Sequence, residues 1–151
     1  MGGALEKVFA WPSRPADSYG LALWTAAEIA DATGGTASGP FQVSGVEMDS
    51  RDVRPGDLFV ALRGESTDGH RFLDKAFANG AAAAIVDRPV DWPHVLVEDT
   101  TRALEALAAV ARRRGAATVV GVTGSVGKTG VKEAIFVALE RGSRGTPTWL
   151  L

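Results

Sequence analysis

The chain contains no cysteine. That excludes a disulfide scaffold and agrees with a reducing cytoplasm, the compartment expected for it. An excess of charge of one sign is also missing: 16 Lys and Arg stand against 18 Asp and Glu, for a net charge of −2. With both signs interspersed there is no field to hold nucleic acid or an anionic membrane. No apolar run approaches the roughly 20 residues that span a bilayer, so no membrane insertion is expected. The first residues include Lys7 but no sustained apolar core, which argues against a secretory signal. No internal repeat is present. What remains is globular: 46% hydrophobic residues in 151 suffice for one core and part of a second.

Residues 1–20 mix glycine, proline, serine and isolated aromatics without a period and read as a poorly ordered arm, from which Trp11 could still dock. Thr25-Ala26-Ala27-Glu28 is a capping box opening a helix through Ala32, stopped by Gly34-Gly35. Val43 to Met48 alternates and is interrupted by Asp49-Ser50-Arg51. After the turn Arg54-Pro55-Gly56-Asp57, the apolar run Leu58 to Leu62 reads as a strand central in its sheet. A polar loop, Arg63 to Gly69, leads to a helix with Phe72, Leu73, Ala76 and Phe77 at helical spacing, ended by Asn79-Gly80. Ala82–Val86 and Val95–Val97 supply two short strands. Asp99-Thr100 caps a helix that buries Leu104, Leu107 and Val110 and closes at Gly115. The cluster Arg112-Arg113-Arg114 falls at the end of that helix, where cations complement the dipole.

A domain boundary is placed at about residue 115. Beyond it, Thr118 to Val122 reads as a strand, and Thr123-Gly124-Ser125-Val126-Gly127-Lys128-Thr129 as a glycine-rich turn into a helix. Glycines at 124 and 127 let the chain curl until successive N–H groups point into one concavity, which fits an anion. Lys128 would then meet the outer phosphates of a nucleotide, and the Thr129 hydroxyl the accompanying magnesium ion. Val131, Ile135, Ala138 and Leu139 share one face of the helix, expected to pack on a sheet. The general phosphate-loop pattern wants a glycine where Val122 stands, so the match is to a T-G-x-x-G-K-T variant. An ordinary strand-to-helix turn with an incidental lysine is the bland alternative.

Two motifs in order resemble one family. The loop from Thr123 to Thr129 has the form found in Mur ligases, the ATP-dependent amide-forming enzymes of peptidoglycan synthesis. Asp49-Ser50-Arg51, the run Val53 to Leu62, Gly64 and Asp68-Gly69-His70 resemble the N-terminal domain that holds the UDP end of the precursor in the ligases acting late on it. Gly64-Glu65, Ser125 and Lys132-Glu133 look more like the member that adds D-alanyl-D-alanine than the one that adds the third amino acid.

The resemblance implies an α/β chain. Residues 21–115 would form a small mixed-sheet domain binding the UDP-linked muramoyl peptide, and residues 116–151 the first strand, phosphate loop and helix of a truncated ATP-binding domain. Ser50, Arg51, Gly64, Asp68, Gly69 and His70 would lie at the precursor. Thr123, Gly124, Ser125, Val126, Gly127, Lys128 and Thr129 would bind ATP, with Thr129 on Mg2+. No catalytic residue is assigned. The later family elements, acidic magnesium ligands and a domain for the incoming group among them, have no counterpart here. The chain alone is therefore expected to be inactive, with the remainder of such a ligase as a further partner. The tail from Pro147 does not resemble the family. Asp49-Ser50-Arg51 also reads as a surface turn, and His70 equally as a helix cap. A stand-alone UDP-precursor-binding module and a non-functional remnant stay open.

Overall fold

The computed structural model describes residues 22–115, 118 and 120–142; the arm expected at the N-terminus and the tail beyond 142 lie outside them. The chain divides into two compact units, Met1–Gly115 and Ala116–Leu151.

The first unit opens with β1 (Trp24–Thr25), α1 (Ala26–Thr33) and β2 (Thr36–Ala37), followed by β3 (Gln42–Val43) and β4 (Gly45–Glu47). The capping box is present in full. Thr25 Oγ1 accepts from the Glu28 N–H, and a Glu28 carboxylate oxygen accepts from the Thr25 N–H at 2.8 Å. Then come β5 (Asp57–Val60), a 3-10 turn (Gly69–Phe72), α2 (Leu73–Ala78), β6 (Ala83–Val86), β7 (His94–Leu96) and α3 (Thr100–Arg114). Asp99 caps α3 by accepting from the N–H groups of Thr101 and Arg102.

The main sheet has the order β2-β7-β6-β5-β4. Strands β4 to β7 are parallel, and β2 pairs antiparallel on β7. A separate antiparallel ribbon joins β1 to β3. The sheet is mixed, as expected, with β5 flanked on both sides. The edge strand β2 was not legible in Thr36-Ala37, because two residues carry no period.

Alternation along the parallel strands divides the core. Leu58, Val60, Ala83, Ile85 and Val95 join Trp24 and Ile29 around α1, and Ala103 and Leu107 from α3, on one face. Phe59, Ala61, Ala84 and Val86 meet Val53, Leu73 and Ala76 on the other. Leu58 and Phe59 are both fully buried although they point in opposite directions. Each such side chain contributes about 1.5–3 kcal/mol, and together they make β5 an interior strand covered on both faces. Helix α3 buries Ala103 and Leu107, while Leu104 and Val110, expected inside, pack only partly against the core.

Helix α1 is tied to the end of α3 by Arg114. Its guanidinium lies 3.9 Å from the centroid of the Trp24 ring and donates to Glu28 Oε1 at 3.0 Å. The arginine cluster thus has a structural use for its last member.

In the second unit, α4 (Lys128–Gly142) is the only regular element among the described residues. The strand expected over 118–122 is not formed by residues 118 and 120–122. A strand needs a partner for its backbone groups, and none is present among the described residues of this unit. For the same reason the apolar face of α4 is not covered as expected: Val131, Ala138 and Leu139 are exposed and Ile135 only half-buried.

Candidate precursor and phosphate sites

Because β4, β5 and β6 are parallel neighbours, the segments that leave them emerge at one edge of the sheet. These are the turn after Glu47, the loop after Val60 and the Asp87-Arg88 pair after Val86. Ligands of open α/β sheets bind outside the carboxyl ends of such strands.

The turn is built by Asp49. Its carboxylate accepts from the Arg51 N–H at 2.9 Å and pairs with the Arg51 guanidinium, and its carbonyl accepts from the Asp52 N–H. The Arg51 guanidinium beside Asp49 holds that carboxyl well below the usual carboxylate range. Arg51 remains 75% exposed along its side chain. Ser50 is buried, at 6% exposure, and its carbonyl accepts from Asn79 Nδ2 at 2.8 Å. The surface-turn reading therefore holds for the backbone. Ser50 sits under the turn and could meet a ligand only at the floor of a contact.

The loop after β5 is closed at its base. Arg63 and Asp68 form an antiparallel bridge, the Gly64 N–H donates to the Thr67 carbonyl at 2.8 Å, and the Gly69 N–H to the Leu62 carbonyl at 2.7 Å. Gly64 to Thr67 stand exposed above it. Gly69 is buried, and a Cβ there would lie 2.7 Å from the Leu62 nitrogen and oxygen. Its missing side chain serves the approach of the loop to its own strand.

His70 is buried beneath the same loop. The Asp87 N–H donates to Nε2 at 3.3 Å, which leaves Nδ1 to donate to Asp68 Oδ1 at 2.7 Å. Asp68 also accepts from the His70 N–H, as the cap of the 3-10 turn, and from Arg88 at 2.6 Å. The Arg88 guanidinium and then the His70 N–H hold the Asp68 carboxyl far below its ordinary range. Arg63 in turn pairs with Asp87 at 3.1 Å. Of the residues expected at the precursor, the structure gathers Gly64, Asp68, Gly69 and His70 into one loop and its support, with Ser50 and Arg51 on the neighbouring turn. Asn79, Asp87, Arg63 and Arg88 escaped the sequence reading. A charged pair directly after a buried parallel strand was the signal for Asp87 and Arg88.

In the second unit, Gly124 has φ 151° and Gly127 φ 77°, and α4 begins at Lys128. The positive φ at Gly127 is a conformation L side chains rarely adopt. It turns the chain directly into a 15-residue helix, whose N-terminal N–H groups favour an anion. Thr123 to Thr129 are all exposed. The donor set fits a polyphosphate: backbone N–H groups, the Lys128 ammonium and the Thr129 hydroxyl. Among the described residues no three His, Cys, Asp or Glu side chains gather as a metal site.

A family model described as the Mur ligase family, catalytic domain, matches residues 42–125, more than half of the chain. The chain belongs to the Mur ligase family. Its match runs from the β3–β4 region through both loops of the first unit and into the phosphate loop of the second. This Mur ligase chain is 45% identical over 120 residues to the UDP-N-acetylmuramoyl-tripeptide--D-alanyl-D-alanine ligase of Escherichia coli, covering 78% of this chain and 26% of that protein. It is 48% identical over 93 residues to the UDP-N-acetylmuramoyl-L-alanyl-D-glutamate--2,6-diaminopimelate ligase of Bradyrhizobium diazoefficiens, covering 60% and 19%. Among solved structures it resembles MurF from Acinetobacter baumannii, with TM-score 0.71, 38% identity and coverage of 78% and 28%. It also resembles the MurF ligase of Thermotoga maritima in complex with ADP, with TM-score 0.56, 43% identity and coverage of 64% and 23%. The chain thus spans about a quarter of the length of the relatives it matches. No helix among the described residues is long and apolar enough to cross a membrane.

Proposed function

We propose that this Mur ligase chain carries two binding parts of a ligase that joins D-alanyl-D-alanine to UDP-N-acetylmuramoyl-tripeptide. One part is the unit that receives the UDP-linked precursor, and the other is the loop that receives the phosphates of ATP. The observation that carries this reading is the extent of the match to the E. coli D-alanyl-D-alanine ligase. At 78% of 151 residues it covers about 118, more than the 115 of the first unit, and so enters the second. Similarity to diaminopimelate ligases, over 93 residues in one and 122 residues in another, supports a second reading, addition of the third amino acid.

In the first unit, Arg51 and the Gly64 loop are among the exposed groups at the carboxyl edge, with Arg63 and Arg88 beside them. An arginine fork suits a diphosphate, and Ser50 could accept or donate at the base edge. Asp68, Gly69 and His70 act by holding the loop. In the second unit, the backbone of Thr123 to Gly127 would surround the phosphates of ATP, with Lys128 on the outer ones and Thr129 on Mg2+. ATP would supply its γ-phosphoryl group to the precursor's carboxylate and leave as ADP; the dipeptide amine would then attack the acyl carbonyl, form the amide and expel inorganic phosphate. Stabilising the charge on a transferring phosphoryl group asks for more than one loop and one lysine, so the chain alone binds without turnover.

The test is isothermal titration of the chain with UDP-linked muramoyl tripeptide, then Mg-ATP. Expected are precursor binding without ATP, weakened on Ser50→Ala, and Mg-ATP binding abolished by Lys128→Ala. Unchanged ATP affinity in Lys128→Ala would sink the phosphate-loop assignment. Tighter binding of the muramoyl dipeptide than of the tripeptide would favour the second reading.

A further inference from the structure

Between β5 and β6 two ion pairs cross. Arg63, at the start of the Gly64–Thr67 loop, reaches over to Asp87 at 3.1 Å, and Arg88, beside Asp87, reaches back to Asp68 at the loop's end at 2.6 Å. His70 lies between them, hydrogen-bonded to Asp68 and to the Asp87 N–H. Arg88 also stands 3.6 Å from Asp87. The Ala61 N–H donates to the Ile85 carbonyl of β6 at 3.0 Å; beyond it, the backbone bonds at the loop's base join the loop to its own strand or to itself. Past Ala61, the contacts that join the loop to the exit of β6 are this cross and the bond from the Asp87 N–H to His70.

The arginines are exposed, 60% for Arg63 and 45% for Arg88 along the side chain, while their acidic partners are more covered, 12% for Asp87 and 29% for Asp68. Exposed arginines add little to a fold by charge alone, but here each one neutralises a carboxylate held at the loop's base. The pairs also join parts of the chain: Arg88 reaches Asp68 through one guanidinium nitrogen and stands near Asp87 with the other, so it bridges the loop's end and the exit of β6.

We propose that Arg88, acting through Asp68, is a positioning residue that sets where the Gly64–Thr67 loop stands over the bound precursor. The proposal rests on the reading of that loop given above. Arg88 does not touch the ligand. It holds Asp68, and Asp68 holds both the end of the loop and the His70 beneath it. Arg63 and Asp87 form the second arm of the same device.

The experiment is a double-mutant cycle on Arg88→Ala and Asp68→Asn, the latter keeping an oxygen to cap His70. Affinity for UDP-linked muramoyl tripeptide is measured by titration, and amide hydrogen exchange is followed at Gly64, Gly69, Phe59 and Ile85. Each single variant is expected to bind about tenfold more weakly and the double variant no worse than either, because residues in one network do not add. Gly64 and Gly69 should exchange about tenfold faster in Arg88→Ala, with Phe59 and Ile85 unchanged, since the opening is local. Arg88→Lys should restore only part of the affinity.

Losses that add to about a hundredfold would show that Arg88 meets the ligand itself and overturn the proposal. Unchanged exchange at Gly64 and Gly69 would overturn it without any ligand. Faster exchange in a chain whose wild type binds no precursor would instead overturn the assignment of the site, and with it this role.

Discussion

Gly69→Ala separates a glycine kept for folding from one kept for a ligand. A Cβ at 69 would lie 2.7 Å from the Leu62 nitrogen and oxygen and 2.8 Å from the Ala61 carbonyl carbon. All three are backbone atoms of the segment that continues β5, so no side chain can rotate away. Ordinary contact begins near 3.4 Å, and 3.4 minus 2.7 leaves 0.7 Å to be found by moving the loop off its strand. That movement strains the 2.7 Å bond from the Gly69 N–H to the Leu62 carbonyl and displaces His70. Overpacking of this kind costs about 1–3 kcal/mol, and each kcal/mol lowers the Tm of a domain this size by roughly 4–8 °C. The control is Gly64→Ala. There the nearest atom is the Thr67 oxygen at 3.3 Å, and a few tenths of an ångström suffice. Thermal and urea unfolding of the two variants should show Gly69→Ala clearly destabilised and Gly64→Ala close to wild type. If Gly69→Ala unfolds with the wild-type midpoint, the account of Gly69 as a packing glycine is wrong. If Gly64→Ala, equally stable, loses affinity for the precursor, then position 64 is where a ligand needs the space.

Thr25→Ala removes the cap of α1 and should lower stability by about 1 kcal/mol, read as a shift in urea midpoint without a change in slope. Asn79→Ala removes the donor to the Ser50 carbonyl; it should cost about 1 kcal/mol and weaken precursor binding if the Ser50 turn is part of the site. The depressed Asp68 carboxyl favours the folded state above its unfolded pKa of about 3.9. That contribution is lost as pH falls through the lower folded value. In Arg88→Ala the Asp68 titration, followed by carboxyl-carbon NMR, should move up towards the ordinary range, and an unmoved titration would contradict Arg88 as its main partner. Gly127→Ala, at φ 77°, should distort the phosphate loop and weaken Mg-ATP binding in titration.

Local chemistry was legible without a fold. Thr25 with Glu28, and Asp99 before Thr100, each fix a helix start through groups two or three residues apart, and the helices begin there; α4 begins at Lys128, directly after the positive φ of Gly127. The apolar run from Leu58 was likewise enough to make β5 interior, because only a strand covered on both faces can bury consecutive side chains. The family too was in the sequence, carried by Asp49-Ser50-Arg51, Asp68-Gly69-His70 and the phosphate loop. Tertiary structure alone decided which of those residues face outward. The sequence could not tell that Ser50 is buried with its carbonyl bonded to Asn79, 29 residues on, or that Gly69 is packed against the Leu62 backbone. His70 is not the cap expected of it: Asp68 caps the turn, and His70 lies inside it with Asp87, 17 residues on, donating to its Nε2. The strand at 118–122 had the composition of one, and its absence among the described residues shows what composition cannot supply: a strand exists only against a partner. Propensity and capping act within a few residues and can be read along the chain. Burial, ion-pair crossing and strand pairing join residues far apart in sequence, and only the folded arrangement brings them together.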